Sequence, residues 1–182
     1  MHTDIPKIYQ FIDRFDQNLI KKKTINLGII YRNYTDVINE KDLISFKVFC
    51  LKNKYKLYLA NNFKIALKYR LNGVYIPSYN KKIKINKTNL FKNFKILGSA
   101  HNKIEINKKI NQGCEIIFIS PLYKTKRKIN FLDTSKFNLL TSDYKVKFIA
   151  LGGISENNKK KIKMLNAFGY SGISIFQKKT GL

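Results

Sequence analysis

Short apolar runs that stop abruptly at small or polar residues recur along the chain. The clearest covers residues 145–155, KVKFIALGGIS, where a β-branched and aromatic run ends at Gly152-Gly153 and gives way to Ser155-Glu156-Asn157-Asn158. Such a run is too short and too continuous to be half-exposed, so it reads as a strand buried on both faces, as in a parallel sheet. Glycines beyond its carboxyl end let backbone N–H groups approach an anion, and Ser155 is placed to cap the following helix over 157–168. Comparable strands are predicted to start near residues 7, 27, 56, 73, 94, 114, 145 and 172, the last running over 172–176. Between them lie a short segment at 16–24, a helix over 39–54 with Asn39 as N-cap, short helices over 63–71 and 104–110, and another over 135–142. Gly113 closes the 104–110 helix. Residues 78–93 are lysine- and asparagine-rich and poorly periodic, and they read as a loop.

Eight strands, each followed by helix or loop, predict a compact (β/α)8 TIM barrel with shortened or missing first and last helices, formed as one domain over residues 1–182. A doubly wound open sheet is the competing architecture, because periodicity does not report barrel closure.

A length of 182 residues with 44% apolar content accommodates one sizeable core. The formal charge of +25 points to an anionic ligand. The lysines are spread among many Asn and Ile residues rather than gathered on one segment, so binding to nucleic acid is disfavoured. The two cysteines, Cys50 and Cys114, have no metal-type spacing and read as reduced core thiols. The start lacks a signal-peptide pattern, and no apolar run approaches the ~20 residues of a membrane span. A cytoplasmic protein without membrane attachment is expected.

Over residues 7–176 the order of these pieces resembles the thiamine-phosphate synthase/TenI family of small barrels. The resemblance is carried by residues 7–14, 57–61, Ile65-Ala66-Leu67 and Asn72-Gly73-Val74-Tyr75-Ile76. It continues through Gly98-Ser99-Ala100-His101, Ile119-Ser120-Pro121-Leu122-Tyr123-Lys124-Thr125, 149–154 and Ser171-Gly172-Ile173. It implies thiamine biosynthesis: hydroxymethylpyrimidine diphosphate loses pyrophosphate and is captured by the nitrogen of a thiazole phosphate, giving thiamine phosphate. The partners it implies are therefore the pyrimidine diphosphate and the phosphorylated thiazole, and the cofactor is Mg²⁺.

Residue by residue, the resemblance assigns Gly153, Ile175 and Phe176 to the thiazole phosphate through backbone amides. It assigns Arg32, Ser99, Thr125 and Lys128 to the pyrophosphate, with Arg127 standing where the family has a second threonine. Asn61 and Asn80 take the positions of the two Mg²⁺ carboxylates, and the loss of two formal charges weakens that site. Lys64, Lys81 and Lys128 are candidates to replace part of the metal's charge. His101 matches a histidine of the family's fifth-strand motif, and its simpler reading is a solvent-facing residue starting a helix. The tautomerase branch of the family uses a histidine where this chain has Pro121, so that chemistry has no evident acid or base here. A barrel that binds a pathway phosphate without catalysing transfer is the second reading. Missing outer helices would leave apolar strand faces bare, which predicts a homodimer.

Overall fold

The computed structural model describes residues 5–20, 26–33, 37–82, 85, 90–125 and 129–172. Eight parallel strands close into a barrel in chain order: β1 (Ile8–Ile12), β2 (Leu27–Tyr31), β3 (Lys56–Ala60), β4 (Gly73–Ile76), β5 (Lys95–Ala100), β6 (Ile116–Ile119), β7 (Lys147–Leu151) and β8 (Gly169–Gly172). Among the described residues four α-helices lie outside it: α1 (Glu40–Lys52), α2 (Phe63–Lys68), α3 (Lys103–Asn111) and α4 (Asp133–Thr141). The barrel is therefore closed, and the open-sheet alternative is excluded.

Most predicted elements recur within a few residues. The Asn39 side chain accepts from the backbone N–H groups of Lys41 and Asp42, as an N-cap must. Gly113 stands just beyond α3 with φ of +91°, the left-handed conformation a glycine adopts without strain. Three expectations are corrected. The segment at 157–168 holds only a 3₁₀ stretch, Lys159–Met164, not a full helix. Ser155 does not cap it through its hydroxyl; Asn158 Oδ1 instead accepts from the Ser155 N–H at 2.9 Å. The last strand begins at Gly169 rather than residue 172, because Gly169, Tyr170 and Ser171 pair with β7 while Tyr170, Ser171 and Gly172 pair with β1. Residues 173–176 of the predicted strand lie outside the described residues. Between β1 and β2 only a 3₁₀ turn, Gln17–Leu19, is seen among the described residues, in keeping with a shortened first helix.

The strand register stacks the inward side chains in layers, four to a layer from alternate strands. Tyr9, Tyr58, Leu97 and Ile149 form a central layer. Above it come Ile30, Tyr75, Phe118 and Ser171, and then Phe11, Ala60, Ser99 and Leu151 near the carboxyl ends of the strands. Aromatic edges fill the axis: Tyr9–Phe118 centroids are 5.0 Å apart, Phe11–Tyr75 5.3 Å and Tyr75–Phe118 5.6 Å. Gly28 is glycine because the Tyr9 ring occupies the space a Cβ would need. Burial, with Tyr58 alongside, pushes the Tyr9 phenol above its ordinary range.

The floor of the barrel is a layer of lysines. Lys7, Lys56, Lys95 and Lys147 each stand two residues before the inward residue of the central layer. Lys7 and Lys147 place their ammonium groups 5.8 and 5.5 Å from the Phe168 ring, and Lys95 pairs with Glu115 at 2.9 Å. Closure is locked by Ser171, whose buried hydroxyl donates to the Tyr9 carbonyl at 2.8 Å. A second apolar cluster, including Leu43, Phe46, Ala66, Ile106 and Phe137, fills the space between strands and helices. No helix among the described residues is long and apolar enough to cross a membrane.

Candidate active site at the carboxyl ends of the strands

All predicted site residues that the structure describes sit at one end of the barrel, just beyond or in the last turn of their strands. Arg32 follows β2: its N–H donates to the Ile12 carbonyl at 2.8 Å, and its guanidinium lies 4.7 Å from the Phe11 ring. That stacking seats a permanent charge on the topmost aromatic of the interior. Beside it are Tyr75, fully enclosed, and Ser99, only 6% exposed. Burial pushes the Tyr75 phenol above its usual range, while a hydrogen bond with Ser99 and the Arg32 charge pull it back. A guanidinium, a phenol and a hydroxyl thus meet over the packed core.

The ends of β3 and β4 are joined through side chains. Asn61 has φ of +61°, and its N–H donates to the Tyr75 carbonyl at 2.9 Å, turning its side chain toward the loop after β4. There Asn80 Nδ2 donates to Asn61 Oδ1 at 2.9 Å, and Asn61 Nδ2 donates to the Tyr79 hydroxyl at 2.8 Å. Asn80 Oδ1 accepts from the Lys82 N–H at 3.2 Å.

A buried lysine holds this loop from behind. Lys109 of α3, 1% exposed, donates to the carbonyls of Pro77 at 2.7 Å and Asn80 at 2.8 Å, and to Gln112 Oε1 at 2.8 Å. Gln112 Nε2 also donates to the Asn80 carbonyl, at 3.2 Å. All three ammonium protons are used. Desolvation brings the Lys109 pKa down to about 8.

Gly152 and Gly153 follow β7 with φ of +93° and +70°. A Cβ on Gly153 would sit 2.5 Å from the Tyr123 carbonyl oxygen, so no other residue fits. The loop after β6 is stitched to this turn by Leu122 N–H to the Leu151 carbonyl (2.8 Å) and Tyr123 N–H to the Gly152 carbonyl (3.1 Å). Asn158 closes the turn from the other side, donating to the Gly153 carbonyl at 2.8 Å. Thr125 is half-buried on the same loop. Lys128 and Arg127, and Ile175 and Phe176, lie outside the described residues.

His101 is set apart from this group. Its Nδ1 and its backbone N–H both meet Glu105 Oε2 at 2.8 Å, and Asn102 Oδ1 caps α3 by accepting from the Glu105 N–H. With Asn102, Lys103, Leu132, Lys136, Leu139 and Leu140 it lines a cavity of about 450 Å³ between α3 and α4, on the outer wall. The expected helix-starting place is thus occupied by a half-buried, carboxylate-bound imidazole.

The residues at the Mg²⁺ positions do not suit that ion. A hard cation requires free oxygens, preferably charged. Asn61 and Asn80 are neutral, and one amide hydrogen-bonds the other. Among the described residues there is no group of three or more His, Cys, Asp or Glu that could hold a metal.

Four contributors were not anticipated: Tyr75, Tyr79, Lys109 and Asn158. Lys109 left a trace, since it falls three residues after Ile106 on the buried stripe of α3. Asn158 left none, because its role depends on a turn whose shape only the fold shows.

Comparison with known proteins bears on this barrel. The family model described as thiamine monophosphate synthase matches residues 29–176. A thiamine-phosphate synthase of Prochlorococcus marinus (strain AS9601) is 31% identical over 137 residues, which are 73% of this chain and 38% of that protein. The chain thus spans about two fifths of that relative's length. A putative thiamine-phosphate synthase 2 of Aquifex aeolicus (strain VF5) is 26% identical over 188 residues and is covered almost end to end, 98% against 95% of this chain. Among solved structures, thiamine phosphate pyrophosphorylase from Pyrococcus furiosus superposes with a TM-score of 0.74 over 97% of this chain and 90% of that one, at 11% identity. That superposition establishes a shared fold.

Proposed function

Since the chain belongs to the thiamine monophosphate synthase family, we propose that it acts in thiamine biosynthesis, joining hydroxymethylpyrimidine diphosphate to thiazole phosphate with release of pyrophosphate. The observation that supports this reading best is the convergence, at the carboxyl ends of different strands, of Arg32, Ser99 and the Gly152-Gly153 turn. Arg32 and Ser99 bring a cation and a buried hydroxyl to the mouth, and the Gly152-Gly153 turn brings backbone to it at the end of β7.

In the proposed reaction the carbon–oxygen bond between the pyrimidine methylene and the diphosphate breaks, and the leaving pyrophosphate keeps the electron pair. The thiazole nitrogen supplies the pair for the new carbon–nitrogen bond. No proton has to move for that exchange, so the chain's work is to orient two ligands and to stabilise the charge that develops on the leaving group. Arg32, held in place by Phe11, presents a fixed fork of N–H donors to the diphosphate. Ser99 adds a hydroxyl from the layer below and Thr125 another from the loop after β6, and the family resemblance assigns Lys128 to the same diphosphate. Gly153, with Ile175 and Phe176, receives the thiazole phosphate through backbone N–H groups. The aromatic interior excludes water beneath the reacting centre.

The amide pair of Asn61 and Asn80 favours a second reading, a barrel that binds a phosphorylated thiazole without completing the transfer. Assaying thiamine phosphate formation from the two purified substrates decides between them. Turnover lost in Arg32→Ala supports the synthase; bound thiazole phosphate with no turnover supports the binding protein; neither binding nor turnover rejects both.

A further inference from the structure

The loop after β4 carries a built feature that the transfer reaction does not by itself require. Asn61, Asn80 and Tyr79 form a continuous hydrogen-bonded clasp, with distances of 2.9 and 2.8 Å, at the rim of the mouth. Any two amides bonded in this way direct an N–H of one at the oxygen of the other, whichever way each is turned. A divalent cation drawing oxygens from both would have to break that bond. Beneath the same loop lies the Lys109 ammonium, donating to the Pro77 and Asn80 carbonyls. These are the carbonyl oxygens through which a loop could otherwise add to a cation's shell. A fixed positive charge on them repels a second cation and attracts an anion above the loop. The two observations are independent, one concerning side chains on the loops at the rim and the other a buried charge on α3, and both act in the same direction.

We infer that this mouth takes its diphosphate ligand free of divalent metal, with the Lys109-backed clasp of Asn61, Asn80 and Tyr79 forming the wall where a metal site would otherwise stand. This rests on the proposed reading that the mouth receives a diphosphate. The wall contributes an electropositive, hydrogen-bonding surface that needs no metal to be loaded. Arg32, on the neighbouring strand end, makes the direct charge contact.

The test uses the full chain with two probes. Mn²⁺ alone is titrated against the protein and followed by the electron paramagnetic resonance of the free aqua ion. The wild type is expected to leave that signal unchanged into the millimolar range, while an Asn61→Asp/Asn80→Asp variant, its fold checked by circular dichroism, draws it down. Inorganic pyrophosphate is then titrated calorimetrically in EDTA and in Mg²⁺, and the affinity in EDTA is expected to be at least that in Mg²⁺. Mn²⁺ binding by the wild type, or pyrophosphate binding weakened about tenfold or more by chelation, a loss of about 1.4 kcal/mol, overturns the inference alone. Failure of pyrophosphate to bind in either buffer overturns the ligand assignment together with the proposed function. The wild-type arms decide the matter even if the double variant does not fold.

Discussion

Replacing Lys109 by Met tests the buried ammonium directly, and its signature lies in pH rather than in a single stability value. Lys109 is 1% exposed and its pKa is brought down to about 8, against an ordinary 10.5. That difference corresponds to about 3 kcal/mol between the two protonation states. Near neutrality both folded and unfolded chains hold the proton, so the native state carries the full cost of burying the charge. The Met variant escapes that cost but leaves the Pro77 carbonyl and Gln112 Oε1 without the lysine, at ~1–3 kcal/mol each. The two effects largely offset, and Lys109→Met is expected to change stability at pH 7 by no more than about 2 kcal/mol. Above pH 8 the balance shifts. The folded lysine releases its proton while the unfolded chain still binds one, so wild-type stability rises with pH through this window and falls as pH drops through about 8. Urea unfolding followed by circular dichroism should show the wild type gaining about 2.5 kcal/mol on the variant between pH 7 and pH 10. The other lysines are common to both chains and cancel. A wild-type-minus-variant difference that stays flat across this range would refute the account of Lys109 as a desolvated cation.

Three further outcomes are expected. Gly153→Ala puts a Cβ against the Tyr123 carbonyl at a positive φ, so it should lower stability by ~1–3 kcal/mol and abolish binding of thiazole phosphate measured by calorimetry. Ser171→Ala removes the hydroxyl that joins β8 to β1 and should cost ~1–2 kcal/mol in urea unfolding, with the circular dichroism spectrum of the folded state retained. Analytical sedimentation is expected to give a homodimer, because Ile44, Val48 and Leu51 leave an apolar stripe exposed along α1; a monomer throughout the micromolar range would remove that expectation.

Seven of the eight strands could be placed from the sequence because a strand buried on both faces must be apolar at nearly every position, and runs such as Leu27–Tyr31 and Lys147–Leu151 are. The last strand was misplaced for the converse reason. Gly169–Gly172 is two glycines around Tyr170-Ser171, which reads as a turn until β1 and β7 are seen pairing with it. The lysine-rich Lys159–Met164 stretch carries no apolar stripe long enough to sustain more than a short 3₁₀ segment. At the site, Arg32, Ser99, Asn61, Asn80 and Gly153 were singled out one at a time through the family resemblance, and each stands at or beyond the carboxyl end of a strand. What could not be read was which of them touch. That Asn80 bonds Asn61, and that a helix residue 29 positions further on holds the same loop, are facts of three-dimensional closure.

The lysine floor and the aromatic column above it make the barrel a cup rather than a tube. Among the described residues the interior is packed from the lysine layer up to Phe11, so a ligand at the rim meets the barrel from the face framed by the turns after β2, β4, β6 and β7. For the proposed transfer, with two substrates and two products, that would impose a queue: a ligand seated over Phe11 and Ser99 would be the first in and the last out.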